Sequence, residues 1–288
     1  MITYNPKDWF KLIFQFHKSD TFRILLPNMF VLGLFTGALV YFGEHYGWQF
    51  KITTMFHQIL GFVLSMLLVF RINSAYDRWW EGRKLWGQLV NNTRNLMIKI
   101  NAYIGDENKK DKVVLRIMIT NFVFSLKDAL KGKNDFREVE FVEGISKEEF
   151  EKVNHKPLFI AGALLKQLEK LKHGGKISQE QLWLMNAEVQ SLMDIAGACE
   201  RIRNTPIPYS YSLFLKKIVF IYAITMPVAF SYDFRYWAIP VVMFIFYAFA
   251  SLEIISEEVE DPFGDDANDL PTQEISDKIN ANLKEICG

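Results

Sequence analysis

Two groups of residues in this 288-residue chain have types and spacings suited to chemistry. Near the C-terminus, the run from Glu260 to Asp269, EDPFGDDAND, crowds carboxylates onto a turn. Hard cations such as calcium take several oxygen ligands, so Asp261, Asp265, Asp266 and Asp269 are candidate metal ligands. Their spacing is not that of an EF-hand loop. The same aspartates would also serve as helix caps or as a solvated acidic turn. The second group is apolar. Phe62, Met66 and Phe70 recur at four-residue steps and therefore share one face of a helix. On a single membrane helix such a stripe ordinarily faces lipid or a neighbouring helix. In a ring of identical chains it would line the axis.

Enzyme signatures are missing. There is no G-x-S-x-G, Walker A or H-E-x-x-H sequence. His17, His45, His57, His155 and His173 are scattered without metal-ligand spacing. Cys199 and Cys287 give neither a disulfide framework nor a C-x-x-C motif. The formal net charge is zero, so no electrostatic case exists for nucleic acid as a partner. No removable signal peptide is expected, since the long apolar run starts late and no small-residue cleavage site follows it.

The elements that must hold these residues are apolar helices. Half of the residues are hydrophobic and 25 are phenylalanine, yet 23% are charged. That mixture predicts a membrane protein with a large aqueous part. Four segments compete for the bilayer: 24–42, 56–70, 218–231 and 237–252. Pro27, Pro227 and Pro240 fall inside them or at their edge, as membrane helices tolerate. The second segment is short for a lipid-facing helix, which needs about 20 residues. It runs on into RINSAYDRWWEGRKLWG without a helix breaker before Gly82. One helix over residues 55–104, roughly 75 Å long at 1.5 Å per residue, is the expectation.

Lysine and arginine cluster before the first segment (Lys7, Lys11, Lys18, Arg23), after the second (Arg71, Arg78, Arg83, Lys84) and before the third (Arg201, Arg203, Lys216, Lys217). The connecting loops hold only Lys51 and Arg235. The positive-inside rule therefore predicts two membrane hairpins with both termini and residues 71–213 in the cytosol, in a bacterial inner membrane. Trp48, Tyr232, Tyr236 and Trp237 would form the outer aromatic belt. The N-terminal DWFKLIFQFH would lie along the interface or pack on the protein's own helices. Apolar periodicity predicts cytosolic helices over 113–130, 158–171 and 182–202, with 134–156 as an irregular surface excursion. The resulting divisions are an interfacial segment (1–23), a first hairpin (24–79), a helical cytosolic domain (80–212), a second hairpin (213–256), and an acidic loop with a C-terminal helix (257–288). The fold class is all-α.

Three stretches taken together, FRINSAYDRWWEGRKLWG, TPIPYSYSLF and EDPFGDDANDLP, resemble the bestrophin family in its prokaryotic branch, in the same order and over nearly the whole chain. The resemblance implies a homopentameric, helical ion channel in the lipid bilayer, with its path on the fivefold axis. It places a hydrophobic neck at Phe62, Met66 and Phe70, which would gate by dewetting. It places a second, cytosolic aperture near Ile177, Glu180 and Gln181. The acidic loop matches the calcium clasp of animal members in part: Asp265, Asp266 and Asp269 keep carboxylates, while Ala267 and Asn268 replace acids. No cofactor is expected, calcium being the one candidate. Small monovalent ions are the expected cargo, with sodium favoured over chloride because a ring of Glu180 carboxylates facing the axis would select cations. A chloride channel, as in animal members, is the alternative. A membrane enzyme or sensor using the acidic loop is the alternative of another class.

Overall fold

The computed structural model describes residues 20–47, 54–133 and 136–288. The N-terminal DWFKLIFQFH, Trp48 and Lys51 lie outside the described residues. Among those described, every regular element is a helix: α1 (Asp20–Tyr46), α2 (Thr54–Tyr103), α3 (Lys109–Leu130), α4 (Lys147–Lys152), α5 (Lys156–His173), α6 (Gln179–Asn204), α7 (Tyr209–Phe234), α8 (Ala238–Glu260) and α9 (Thr272–Cys287). They divide into two compact units. One comprises the described part of Ile2–Arg78 together with Pro206–Asp261, and the other Trp79–Thr205 together with Pro262–Gly288.

The first unit is built from α1, the first half of α2, α7 and α8. Three helical stretches are long and apolar enough to cross a membrane: Thr21–Tyr46, Thr54–Tyr103 and Tyr209–Glu260. The last is α7 and α8 joined at the turn Arg235–Trp237, where Arg235 adopts φ 47°. No more than a third of each apolar window is buried. Large apolar side chains such as Phe30, Val31, Phe220 and Phe244 face outward. An apolar exterior of this extent belongs in lipid. The interior is closed by Leu64 and Leu68 of α2 against Val219, Tyr222, Met226 and Phe230 of α7 and Val242 of α8. Gly61 permits the closest approach: a Cβ there would stand 2.7 Å from the Tyr222 hydroxyl. Hydroxyls that would be stranded in an apolar setting bond back to the preceding turn, as Thr36 does to Leu32 O (2.7 Å) and Ser65 to Gly61 O (2.7 Å). Pro27 and Pro227 sit within α1 and α7 without ending them.

The second unit centres on α3, whose residues from Ile117 to Asp128 are all buried. A helix covered all round needs apolar residues on every face or partnered polar ones. Lys127 meets the second condition, pairing with Asp128 (3.2 Å), with Glu138 and with Gln273 (2.6 Å). Asn121 pins the following loop by exchanging two hydrogen bonds with the backbone of Glu140 (2.6 and 2.9 Å). The core joins Trp86, Leu89 and Leu96 of α2 to Phe122, Leu164, Leu192 and Leu283.

Two expectations need correction. Residues 134–156 are not wholly irregular: α4 forms within them and buries Phe150. α7 starts at Tyr209, directly after Pro208, so Lys216 and Lys217 lie inside the helix and do not precede it. Lys216 reaches Glu257 of α8 at 2.8 Å. A long lysine stem extends its charge away from apolar surroundings, which makes it a poor marker of a helix end.

Candidate functional site

α2 has two faces with opposite duties. His57, Gly61, Leu64, Leu68, Arg71 and Ala75 are buried, at alternating steps of four and three residues. That spacing keeps one stripe against the helices it packs on. On the other face Phe62, Met66 and Phe70 remain 66%, 46% and 58% exposed. The three residues expected at the neck therefore occupy one uncovered stripe of the single chain.

Immediately after Phe70 the buried face turns polar. Arg71 is 1% exposed, and its Nη2 donates to Glu260 Oε2 at 2.6 Å. Glu260 Oε1 accepts the backbone N–H of Ile207 at 2.6 Å. Between Pro206 and Pro208, Ile207 carries the only backbone N–H of that tripeptide. Arg78 Nε donates to the Glu260 carbonyl at 3.1 Å. One glutamate thus joins the RINSAYDR stretch, the PIP turn and the end of α8. This clamp was not expected. The available signal was Arg71 itself, a charge on the packed stripe, which demands a buried acidic partner.

The acidic loop is folded by its own side chains. Leu270 N–H closes it on Pro262 O at 2.9 Å, and Asp266 N–H donates to Asp269 Oδ2 at 2.6 Å. Phe263 and Leu270 are buried, and both stand within 3.3 Å of where a Cβ on Gly82 would be. The lack of a side chain at Gly82 therefore lets the loop seat on α2. Both oxygens of Asp265 are engaged, by Lys131 (2.7 Å) and Lys133 (2.7 Å), which hold its carboxyl down at about 2. Asp261 belongs to the other unit. Among the described residues no three His, Cys, Asp or Glu converge as metal ligands.

The three residues expected at the cytosolic aperture have different surroundings. Ile177 is packed into the core of the helical unit. Gln181 completes a capping box at the start of α6, donating its N–H to Ser178 Oγ (3.2 Å) and accepting the Ser178 N–H (2.8 Å). Glu180 is exposed, and a hydrogen bond from the Ser178 hydroxyl holds its carboxyl below the ordinary value.

The model of the family described as "Bacterial/Fungal Bestrophin protein" matches residues 1–285. A voltage-dependent anion channel-forming protein of Nostoc is 32% identical over 294 residues, spanning 99% of this chain and 94% of its own. One from Synechocystis is 31% identical over 290 residues, spanning 98% and 92%. Among solved structures, a bacterial bestrophin homolog from Klebsiella pneumoniae superposes with a TM-score of 0.83 at 28% identity, covering 92% of this chain and 97% of that one.

Proposed function

The chain belongs to the bacterial and fungal bestrophin family, and from that premise we propose a ring of five copies whose α2 stripes surround a central ion path. It is a membrane ion channel and not an enzyme. Two hairpins, α1 with the first half of α2 and α7 with α8, cross the bilayer, and both termini lie in the cytosol. The bias of lysine and arginine supports that orientation.

One observation carries the reading. Phe62, Met66 and Phe70 are exposed on a helix whose opposite face is fully packed. Here the apolar run ends at Phe70, ahead of Arg71. Three bulky apolar groups a turn apart, repeated five times, form a neck narrow enough to close by shedding its water. Glu180, the one exposed member of the expected aperture, supplies a second, charged ring.

The ions conducted are small and monovalent. Glu180 favours cations, sodium among them, over chloride. The second reading, anion conduction, is favoured by the names of the relatives, which are called anion channel-forming.

The test is ion flux in reconstituted vesicles. Phe62→Ala, Met66→Ala and Phe70→Ala each widen and hydrate the neck and raise the flux by about tenfold, the effect of removing a barrier of about 1.4 kcal/mol. Wild-type flux in all three variants, or a detergent-solubilised particle with the mass of one chain, refutes the proposal.

A further inference from the structure

We infer that Asp77 is a selectivity-determining residue of the path, forming a carboxylate ring on the cytosolic side of the neck that favours cations. The inference rests on the proposed placement of the α2 stripe at the axis. It goes further by assigning a charge to the path that neither the neck nor the expected aperture contains.

Helical geometry places the residue. Asp77 follows Phe70 by seven positions and Met66 by eleven, so it projects within about 20° of both. Asn73 follows Met66 by seven and Phe62 by eleven, and it holds the same line. Both are exposed. The stripe therefore continues unbroken from Phe62, Met66 and Phe70 through an amide to a carboxylate. Asp77 stands about 10 Å beyond Phe70 along the helix.

Folding gives Asp77 no evident task. It is far from either end of α2, so it caps nothing. Among the described residues its side chain makes no hydrogen bond or ion pair. The basic groups nearest in sequence are committed elsewhere, Arg71 to the Glu260 carboxylate and Arg78 to the Glu260 carbonyl. Arg83 and Lys84 come more than a turn later. An acid left unneutralised on the stripe, with the flanking arginines drawn away to the packed face, keeps its full field for whatever passes along that stripe. Five such charges about 10 Å from the Phe70 ring, screened over about 8 Å, enrich cations there by about threefold in water and deplete anions by the same factor, so the cation-to-anion ratio changes by about sevenfold, and by more in a narrow apolar passage. The Asn73 ring in between offers amide oxygens to an ion leaving its hydration shell.

The experiment records reversal potentials across vesicles holding the reconstituted protein under a gradient of potassium chloride. Asp77→Asn lowers the cation-to-anion permeability ratio by about sevenfold, and Asp77→Lys lowers it further. Asp77→Glu keeps the wild-type ratio, which separates charge from shape. Alanine variants at Phe62, Met66 and Phe70 run alongside. If they raise flux while Asp77→Asn and Asp77→Lys keep the wild-type ratio, the path is where it was placed but Asp77 does not select, and this inference is overturned alone. If neither set of variants has any effect, the stripe does not face the path, and both readings fall.

Discussion

Replacing Glu260 with alanine should be among the most damaging single substitutions in the membrane unit. The side chain accepts two short hydrogen bonds, from Arg71 Nη2 and from the Ile207 N–H, both at 2.6 Å. Arg71 makes no other hydrogen bond among the described residues: its side chain is 1% exposed, its Nε and Nη1 are buried without a partner, and the buried Glu253 carboxylate is close enough to feel its charge without bonding it. Removing the carboxylate leaves the buried guanidinium with no hydrogen-bonded acid, at a cost of about 3 kcal/mol, the low end for a broken buried pair because Glu253 still offsets part of its charge. A typical total stability of about 5–15 kcal/mol makes that loss severe. Arg71→Met should cost less. It leaves Glu260 partly exposed at 13% and still bonded to Ile207, with the lost charged hydrogen bond worth about 1.5–3 kcal/mol. Combining Arg71→Met with Glu260→Ala removes both charges and should cost well below the sum of the two single losses, because neither partner is stranded. The assay is the temperature at which the purified particle in detergent ceases to elute as a single species, read for all four proteins. A loss of less than about 1 kcal/mol for Glu260→Ala would class the pair with ordinary surface ion pairs and refute the clamp.

The remaining predictions concern charges outside the bundle. Lys131 and then Lys133 hold the Asp265 carboxyl down at about 2. An unfolded aspartate titrates near about 3.9, so the folded value is the lower one. The stabilisation is complete above about pH 4 and disappears as pH falls toward 2; with the side chain 61% exposed, it is worth about 1 kcal/mol or less. Asp265→Asn should therefore lower stability at neutral pH by about 1 kcal/mol or less, flatten the acid limb of a stability-against-pH curve, and converge on wild type near pH 2; an acid limb identical to wild type contradicts the assignment. Glu180→Gln should lower the cation-to-anion permeability ratio, and an unaltered reversal potential removes that ring from the path.

The legible parts of the fold were those governed by local pattern. The absence of a breaker between Phe70 and Gly82 led to a helix over 55–104, and α2 runs from Thr54 to Tyr103. The apolar stripes behind α3, α5 and α6 were likewise visible, each helix extending a turn or so beyond the stripe because its terminal residues are polar. The start of α7 was obscured because Lys216 and Lys217 resemble a boundary, although Pro208 was the better signal: it cannot continue a preceding helix but can precede a new one. Ile177 was a candidate ring residue by analogy, yet an aliphatic side chain just before a capping box more commonly packs as a staple, and it does pack into the core. Ser178-x-x-Gln181 was readable as that box from sequence alone. The Glu260 clamp was not readable, because Arg71 and Glu260 are 189 residues apart and no local rule pairs them.

In the proposed channel, the two faces of α2 let one helix serve both stability and conduction. Residues on the stripe from Phe62 to Asp77 contribute little to the packing of their own chain, so on that proposal a change of size or charge there alters the surroundings of a passing ion at small cost to the fold. Residues on the opposite stripe have no such freedom. Gly61 is limited by Tyr222, Leu64 and Leu68 fill the bundle core, and Arg71 is held by Glu260. The steps of four and three along the packed stripe keep the exposed stripe in constant register, so Asn73 and Asp77 stay in line with the phenylalanines. A residue inserted or deleted between Phe70 and Asp77 would rotate every later position by about 100° relative to the neck. It would send Asp77 off the stripe and draw Ala75 out of the core. Substitutions on the exposed stripe are therefore the changes by which such a helix can alter its ion preference, and changes of length within that segment are not.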